Sequence, residues 1–281
     1  MMTPDEVRRG VSRPQGFPTK NRDAQTLRAY VRRSAGGTMK IAIISDIHAN
    51  LAALNAFPET DCDDIWCIGD LVGFGPRPSE VIREIRSRAS VTICGNHDLA
   101  AGESVDPQCS SPFRRLAAET LEYSRRACTE EDLQFLRDLP LFKEVTVSST
   151  RFYLVHAVPT NPLFGYCVEA SDQWTWEVNG LNADILVVGH THKPFIRVVN
   201  QTTIINPGSL GQPRTGRQEA CYAVWEDGRL DLREYKYPLV ETIRDIRQMR
   251  ISLRDQDALI SVLETGVLPF SYVRAPVEAS A

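Results

Sequence analysis

The chain has 281 residues, 42% of them hydrophobic and 24% charged, an ordinary globular composition and enough length for one large domain or two small ones. A formal net charge of -4 removes any general electrostatic case for binding nucleic acid, and no 18-residue apolar run or secretory-type leader core is present. Seven cysteines, an odd number with no CxxC pair, fit a reduced, cytoplasmic compartment with thiols acting as small hydrophobes.

Charge is unevenly spread. Residues 1–38 hold eight basic side chains (Arg8, Arg9, Arg13, Lys20, Arg22, Arg28, Arg32, Arg33) against Asp5, Glu6 and Asp23, so this segment is +5 and the rest, from Met39, is -9. Its one helical pattern, 23–34, ends in Ala35-Gly36-Gly37. It is expected to be a basic extension, either a disordered tail or the product of an upstream start, with a partner-binding arm as the alternative. Residues 39–281 are expected to form one domain.

From Met39 the pattern alternates. Strands are expected at 40–45, 64–68 and 90–94, with helices between them at 49–56 and 78–88, the second opened by Pro78 and Ser79. Such alternation predicts a parallel sheet with helices on its faces. A helical stretch follows at 112–138. The second half is richer in strands, at 144–148, 151–156, 184–188, 196–200, 202–205, 220–225 and 230–235, with a hairpin break at Glu226-Asp227-Gly228. Amphipathic helices at 239–249 and 256–264 close the chain and are expected to pack outside two stacked sheets.

The strands end in metal-ligand residue types. "IAIISDIH" delivers Asp46 and His48, "DIWCIGD" delivers Asp70, and "VTICGNHD" delivers Asn96, His97 and Asp98. "FYLVH" delivers His156, and "ILVVGHTH" delivers His190 and His192. All five histidines of the protein thus stand at C-terminal strand ends, the edge of an open α/β sheet where ligands bind. Residues two apart on an extended segment point the same way, so Asp46 with His48, and His190 with His192, are expected to share a site. Glycines before Asp70, Asn96 and His190 suit close backbone approach.

Carboxylates and imidazoles gathered on an apolar edge need a cation to neutralise them. Two aspartates, an Asn carbonyl and four imidazoles exceed the ligands of one tetrahedral zinc. They suit two divalent ions sharing a carboxylate, with manganese, iron, zinc or cobalt admitted by the mixed N/O donors and calcium disfavoured. Such a pair lowers the pKa of a bridging water and clamps a phosphoryl group during in-line attack.

The ordered set DIH (46–48), GD (69–70), GNHD (95–98), His156 and GHTH (189–192) resembles the calcineurin-like metallophosphoesterases over about 39–237. Within them "SDIHANLAAL", "GDLVGFGPRPSEV" and "NPGSLGQPR" are similar to the small bacterial phosphodiesterases. The resemblance implies a four-layer α/β/β/α sandwich of two mixed sheets flanked by helices, and a dinuclear phosphoesterase, manganese favoured, acting on a small phosphodiester or phosphomonoester. It implies that Asp46, His48 and His192 hold one metal, that Asn96, His156 and His190 hold the other, and that Asp70 bridges them. His97 would face the substrate as the catalytic group. Protein phosphatases of the superfamily read GDxxDRG at the second motif, where the later acid orients that histidine. Gly73 and Phe74 stand there in this chain, which argues against a phosphoprotein substrate and leaves Asp98 as the candidate orienter.

Other signals are weaker. Asn50 is expected either to meet a phosphate or to cap a helix, and Arg214 to meet the substrate phosphate or lie on the surface. Trp174 and Trp176 either stack on a base or pack in the core. A scaffold of this fold would shed ligands or His97, and none is missing. A nuclease would want a basic groove, whereas the chain from Met39 is -9. Specificity is assigned to the loops 100–115 and 160–175.

Overall fold

The computed structural model describes residues 39–273, and the basic extension lies outside the described residues. One sheet is built from β1 (Lys40–Ile44), β2 (Asp64–Cys67), β3 (Val91–Thr92), β9 (Ala220–Glu226) and β10 (Arg229–Tyr235), in the order β10-β9-β1-β2-β3. β1, β2 and β3 run parallel, and β9 joins β1 antiparallel. Their unbroken apolar runs follow from burial on both faces. Inward, Ile41, Ile43 and Trp66 meet the second sheet; outward, Ala42, Ile44 and Cys67 meet helices.

The helices on that outer face are α1 (Leu51–Asn55), α2 (Pro78–Arg88), α3 (Asn96–Glu103), α4 (Arg114–Ala127) and α5 (Glu130–Asp138). Pro78 sits in the first turn of α2, where its missing N–H costs nothing, and Val81, Ile82 and Ile85 form the buried stripe. The helical stretch expected at 112–138 is two helices. Thr129 breaks it, because its hydroxyl accepts from Asp132 N while the Asp132 carboxylate accepts from Thr129 N, a reciprocal cap that starts α5. α3 is an addition to the sequence reading, which had its first residues as a strand end.

The second sheet holds β4 (Phe142–Val147), β5 (Thr150–Val155), β6 (Ile185–Val187), β7 (Phe195–Val199) and β8 (Thr202–Asn206), in the order β4-β5-β6-β8-β7. β5, β6 and β8 are parallel; the edges β4 and β7 are antiparallel to their neighbours. Val145, Phe152, Leu154 and Val187 face the first sheet, and the Trp66 and Phe152 rings meet edge-on with centroids 5.0 Å apart. On the outer face lies a thin layer that includes the one-turn helix α6 (Trp174–Glu177). The architecture is the four-layer α/β/β/α sandwich of two mixed sheets.

The C-terminal helices α7 (Val240–Gln248), α8 (Leu253–Thr265) and α9 (Phe270–Val273) do more than lie outside the sheets. Ile246, Leu259 and Leu263 cluster with Leu116 of α4 and with Phe74, and Arg77 Nε donates to Asp245 Oδ2 at 2.8 Å. They wall the end of the sandwich at which β1 and β2 deliver their polar residues.

Candidate metal centre

Asp46, His48, Asp70, Asn96, His156, His190 and His192 converge at that end. Six of the seven are at most 1% exposed, and His190 is half-buried. The sharing of one site by Asp46 and His48, and by His190 and His192, does not come from extended alternation. Asp46, His48, Asp70, His190 and His192 all have left-handed backbones, with φ of +54°, +47°, +55°, +65° and +59°. Each such turn in a non-glycine residue costs about 1–3 kcal/mol, strain that a fold retains where it aims functional side chains. Asn96 and His97 come from the first turn of α3.

Three imidazoles are fixed by backbone carbonyls. His48 Nδ1 faces Val72 O at 3.0 Å, His156 Nδ1 faces Ile68 O at 2.7 Å, and His192 Nδ1 faces Gln212 O at 2.6 Å. A carbonyl only accepts, so Nδ1 carries the proton and each Nε2 lone pair is aimed inward, as metal-ligating histidines are arranged. Asn96 Nδ2 donates to Pro107 O at 2.7 Å, which turns its Oδ1 toward His156 Nε2 (3.2 Å) and His190 Nδ1 (3.1 Å). Ser209 Oγ donates to Asp46 O, and Asn206 Nδ2 to Gly189 O and Thr191 Oγ1, so the "NPGSLGQPR" segment clamps both DIH and GHTH.

Two groups of ligand atoms result, each within 4.8 Å: Asp46, His48, Asp70 and His192, and then Asp70, His156 and His190. Asp70 belongs to both. Its Oδ2 lies 3.7 Å from His48 Nε2 and 3.4 Å from His156 Nε2, while Oδ1 accepts from His97 N at 2.9 Å. Gly95 makes room for this, since a Cβ there would stand 2.1 Å from Asp70 Oδ1.

The chemistry of the donor set fits a cation. His48 Nε2 and His192 Nε2 face each other at 3.1 Å, two lone pairs with no proton between them once each Nδ1 is protonated. Asp46 Oδ1 is buried without a hydrogen-bond partner. Burial opposes a charged His156, yet the Asp70 and Asp46 carboxylates outweigh it and raise its pKa to about 10. Burial likewise opposes charge on Asp46 and Asp70, but the surrounding imidazoles bring both well below the usual carboxylate range. His48 and His190 are driven down by burial, His190 to about 3. The cluster is short of positive charge at its centre.

His97 stands beside this cluster, 2% exposed, its ring 4.9 Å from His48 and 4.7 Å from Phe74. Burial lowers its pKa to about 4. Asp98, the candidate orienter, does not serve it. The Asp98 carboxylate accepts from the backbone N–H groups of Asp70, Leu71, Val72 and Gly95, and so ties the GD and GNHD turns together. Burial and Asp70 push its pKa up to about 7 against those donors. His97 Nδ1 has no partner, and Nε2 lies 3.1 Å from Cys109 Sγ.

Asn50 caps α1. Its Oδ1 accepts from Ala53 N and Thr242 Oγ1, and its Nδ2 donates to Gly211 O and Tyr237 Oη. Both amide hydrogens are engaged, which leaves none for a phosphate. Arg214 is near the centre: its guanidinium stacks on the Phe113 ring at 3.9 Å and donates to Gln212 Oε1, while Nε is unpartnered. Burial lowers its pKa. Trp174 is core, fully buried with Nε1 donating to Val168 O, and Trp176 is 69% exposed. Cys109, Phe113 and Tyr166, whose ring lies 6.0 Å from His190, carried no sequence signal beyond membership of the two specificity loops.

Known proteins are similar to this chain over much of its length. A protein of Methanocaldococcus jannaschii is 31% identical over 234 residues, 74% of this chain and 89% of that one. Phosphodiesterase YfcE of Escherichia coli is 25% identical over 202 residues, 69% of this chain and 91% of the enzyme. The crystal structure of a metallophosphoesterase from Sphaerobacter thermophilus superposes with a TM-score of 0.69 at 30% identity, covering 82% of this chain and all of that one. The family model for the calcineurin-like phosphoesterase superfamily domain matches residues 39–227, which contain all seven converging side chains and His97, and the chain belongs to that superfamily.

Proposed function

We propose that the protein hydrolyses phosphodiester bonds of small substrates with two divalent cations. The observation that carries this reading is the Asp70 carboxylate, common to both groups of ligand atoms. Asp46, His48 and His192 would hold one ion, Asn96, His156 and His190 the other, and Asp70 both. Bound there, such a pair supplies an activated water and neutralises the phosphoryl oxygens. The imidazole and carboxylate donors suit manganese, iron, zinc or cobalt, manganese favoured.

The chain's own groups do the rest. Arg214, flattened on Phe113 with Nε unpartnered, would take a phosphoryl oxygen. His97 sits beside the ligand atoms and would present a proton to the leaving oxygen once the negative phosphoryl group beside it offsets the burial that otherwise keeps the ring neutral. A diester is favoured by the likeness to Phosphodiesterase YfcE. The deep burial of the ligands supports a small ester reaching in, and speaks against duplex nucleic acid or a folded phosphoprotein. The odd number of cysteines and the lack of a CxxC pair suit a reduced, cytoplasmic setting.

The test is to strip the protein of metal, rebuild it with each ion, and measure bound metal and hydrolysis together. Two ions per chain with metal-dependent cleavage of diesters are expected. One ion per chain at full activity, or cleavage that survives stripping, overturns the reading.

A further inference from the structure

We propose that Tyr166 is the specificity residue of this site, and that it stacks on the flat aromatic base of a nucleoside phosphodiester. The proposal rests on the phosphodiesterase reading above and names the substrate class for that site.

The argument begins with access. Six of the seven converging side chains are at most 1% exposed and His97 is 2% exposed, whereas His190 is half-buried, so among these residues it is His190 through which the centre reaches solvent. An ester held at the centre can extend its organic part past that mouth. Tyr166 stands at it, 54% exposed, with its ring 6.0 Å from the His190 ring at an interplanar angle of 73°.

The ring is held on a rigid support. Gly165 N donates to Asn161 O, and a Cβ on Gly165 would stand 2.2 Å from Val158, so the backbone just before Tyr166 is packed tight. Cys167, just after it, is 3% exposed. Trp174 Nε1 holds Val168 O at 2.9 Å, and Glu177 accepts from both the N–H and the hydroxyl of Thr160. A loop so fastened pays little ordering cost when a ligand lands on its exposed aromatic. Every base has a π-face, and stacking on an aromatic side chain is worth on the order of tenfold in binding or more. Arg214 on Phe113 supplies the cation for the phosphate, which leaves Tyr166 to the organic part.

The experiment compares two diesters that differ only in the base: thymidine 5′-(2,2,2-trifluoroethyl) phosphate and its abasic analogue with hydrogen at C1′. Fluorine NMR follows release of trifluoroethanol from each ester in separate reactions, using the metal-loaded full chain. The wild type is expected to favour the base-bearing ester by about tenfold in kcat/KM. Tyr166→Ala should bring that ratio close to one, and Tyr166→Phe should keep it. A wild-type ratio near one overturns the proposal. So does a ratio that Tyr166→Ala preserves while both rates fall together, since the ring would then only support His190. If the loaded wild type cleaves neither ester, the phosphodiesterase reading itself has failed, and this proposal with it.

Discussion

The Cα of Gly73 lies against the imidazole of His97, so that a Cβ on residue 73 would stand 2.4 Å from Nδ1 and 3.0 Å from Cγ. At the position where related protein phosphatases carry an orienting acid, bare backbone and the neighbouring Phe74 ring shape the slot. His97 is therefore positioned by shape. Gly73 also has φ +82°, a conformation that resists any side chain. Gly73→Ala is expected to cost about 1 kcal/mol of stability and to displace the ring. A shift of about 1 Å can cost on the order of a hundredfold in rate. Metal content should not change, because His97 belongs to neither group of ligand atoms. Turnover and metal stoichiometry measured on one preparation decide it; an unaltered kcat would mean that His97 needs no fixed slot.

The roles of His97 and His192 separate in the same two measurements. His97→Ala should keep its metal and lose on the order of a hundredfold or more in turnover, the usual worth of a general acid. The loss should shrink on nitrophenyl esters, whose leaving group departs without a proton. His192 belongs to a group of four ligand atoms and lies 3.2 Å from Asp46 Oδ1. His192→Ala should lose metal and activity together, with partial recovery as metal is added. Metal loss from the His97 variant would move that residue into the ligand set.

The sequence made the strand ends legible because parallel strands buried on both faces read as unbroken apolar runs, and the polar residue that stops each run is conspicuous. What lay beyond a strand end was not legible. α3 begins at Asn96, directly after an apolar run, so its first turn reads as a continuation of β3 until Asp98 is seen accepting from Gly95 N. The left-handed turns at Asp46, Asp70 and His190 run against local preference and exist because tertiary contacts hold them. Asn50 carried two readings of equal local merit, and only the arrival of Tyr237 and Thr242 from the far end of the chain separates them. Tyr166 and Cys109 sit in irregular loops, whose side chains acquire meaning only from what the folded chain brings beside them. The pattern of α7 and α8 told which face is buried and not that Phe74 would be its neighbour.

Away from the site, Glu59 ties the first sheet together. Its carboxylate meets Lys40 Nζ at 2.6 Å and accepts from Tyr222 Oη and Arg233 Nη1, each at 2.7 Å. Burial opposes its charge, but these three partners prevail and hold its pKa at about 2, below the ordinary 4.5. A carboxylate with a depressed folded pKa stabilises fully above the unfolded value and loses that contribution as pH falls through the folded one. Glu59→Gln is accordingly expected to cost about 1–3 kcal/mol at pH 7, with the gap to wild type narrowing as pH drops from 4.5 toward 2. Urea unfolding at pH 7 and pH 3 measures it. A gap that does not change with pH would mean that packing, not charge, sets the cost.

The C-terminal helices lie beyond the segment that the family model matches, yet they reach the metal centre through Phe74. Ile246, Leu259 and Leu263 share one small cavity with His48 and Phe74, and the Phe74 ring touches both His48 and His97. Phe74 itself has φ +57°, so its place depends on the packing around it. Leu259 is 3% exposed, and Leu259→Ala should cost about 2–5 kcal/mol, as large-to-small core changes do. For a domain of this size that is a fall in thermal midpoint of about 4–20 °C, at roughly 2–4 °C per kcal/mol. A void beside Phe74 also frees its ring, and with it the slot of His97. Turnover measured well below the new midpoint should therefore fall several-fold while metal content holds, because every residue of the two ligand groups lies outside α7 and α8. A variant that is less stable but turns over at the wild-type rate would make these helices a support for the fold alone.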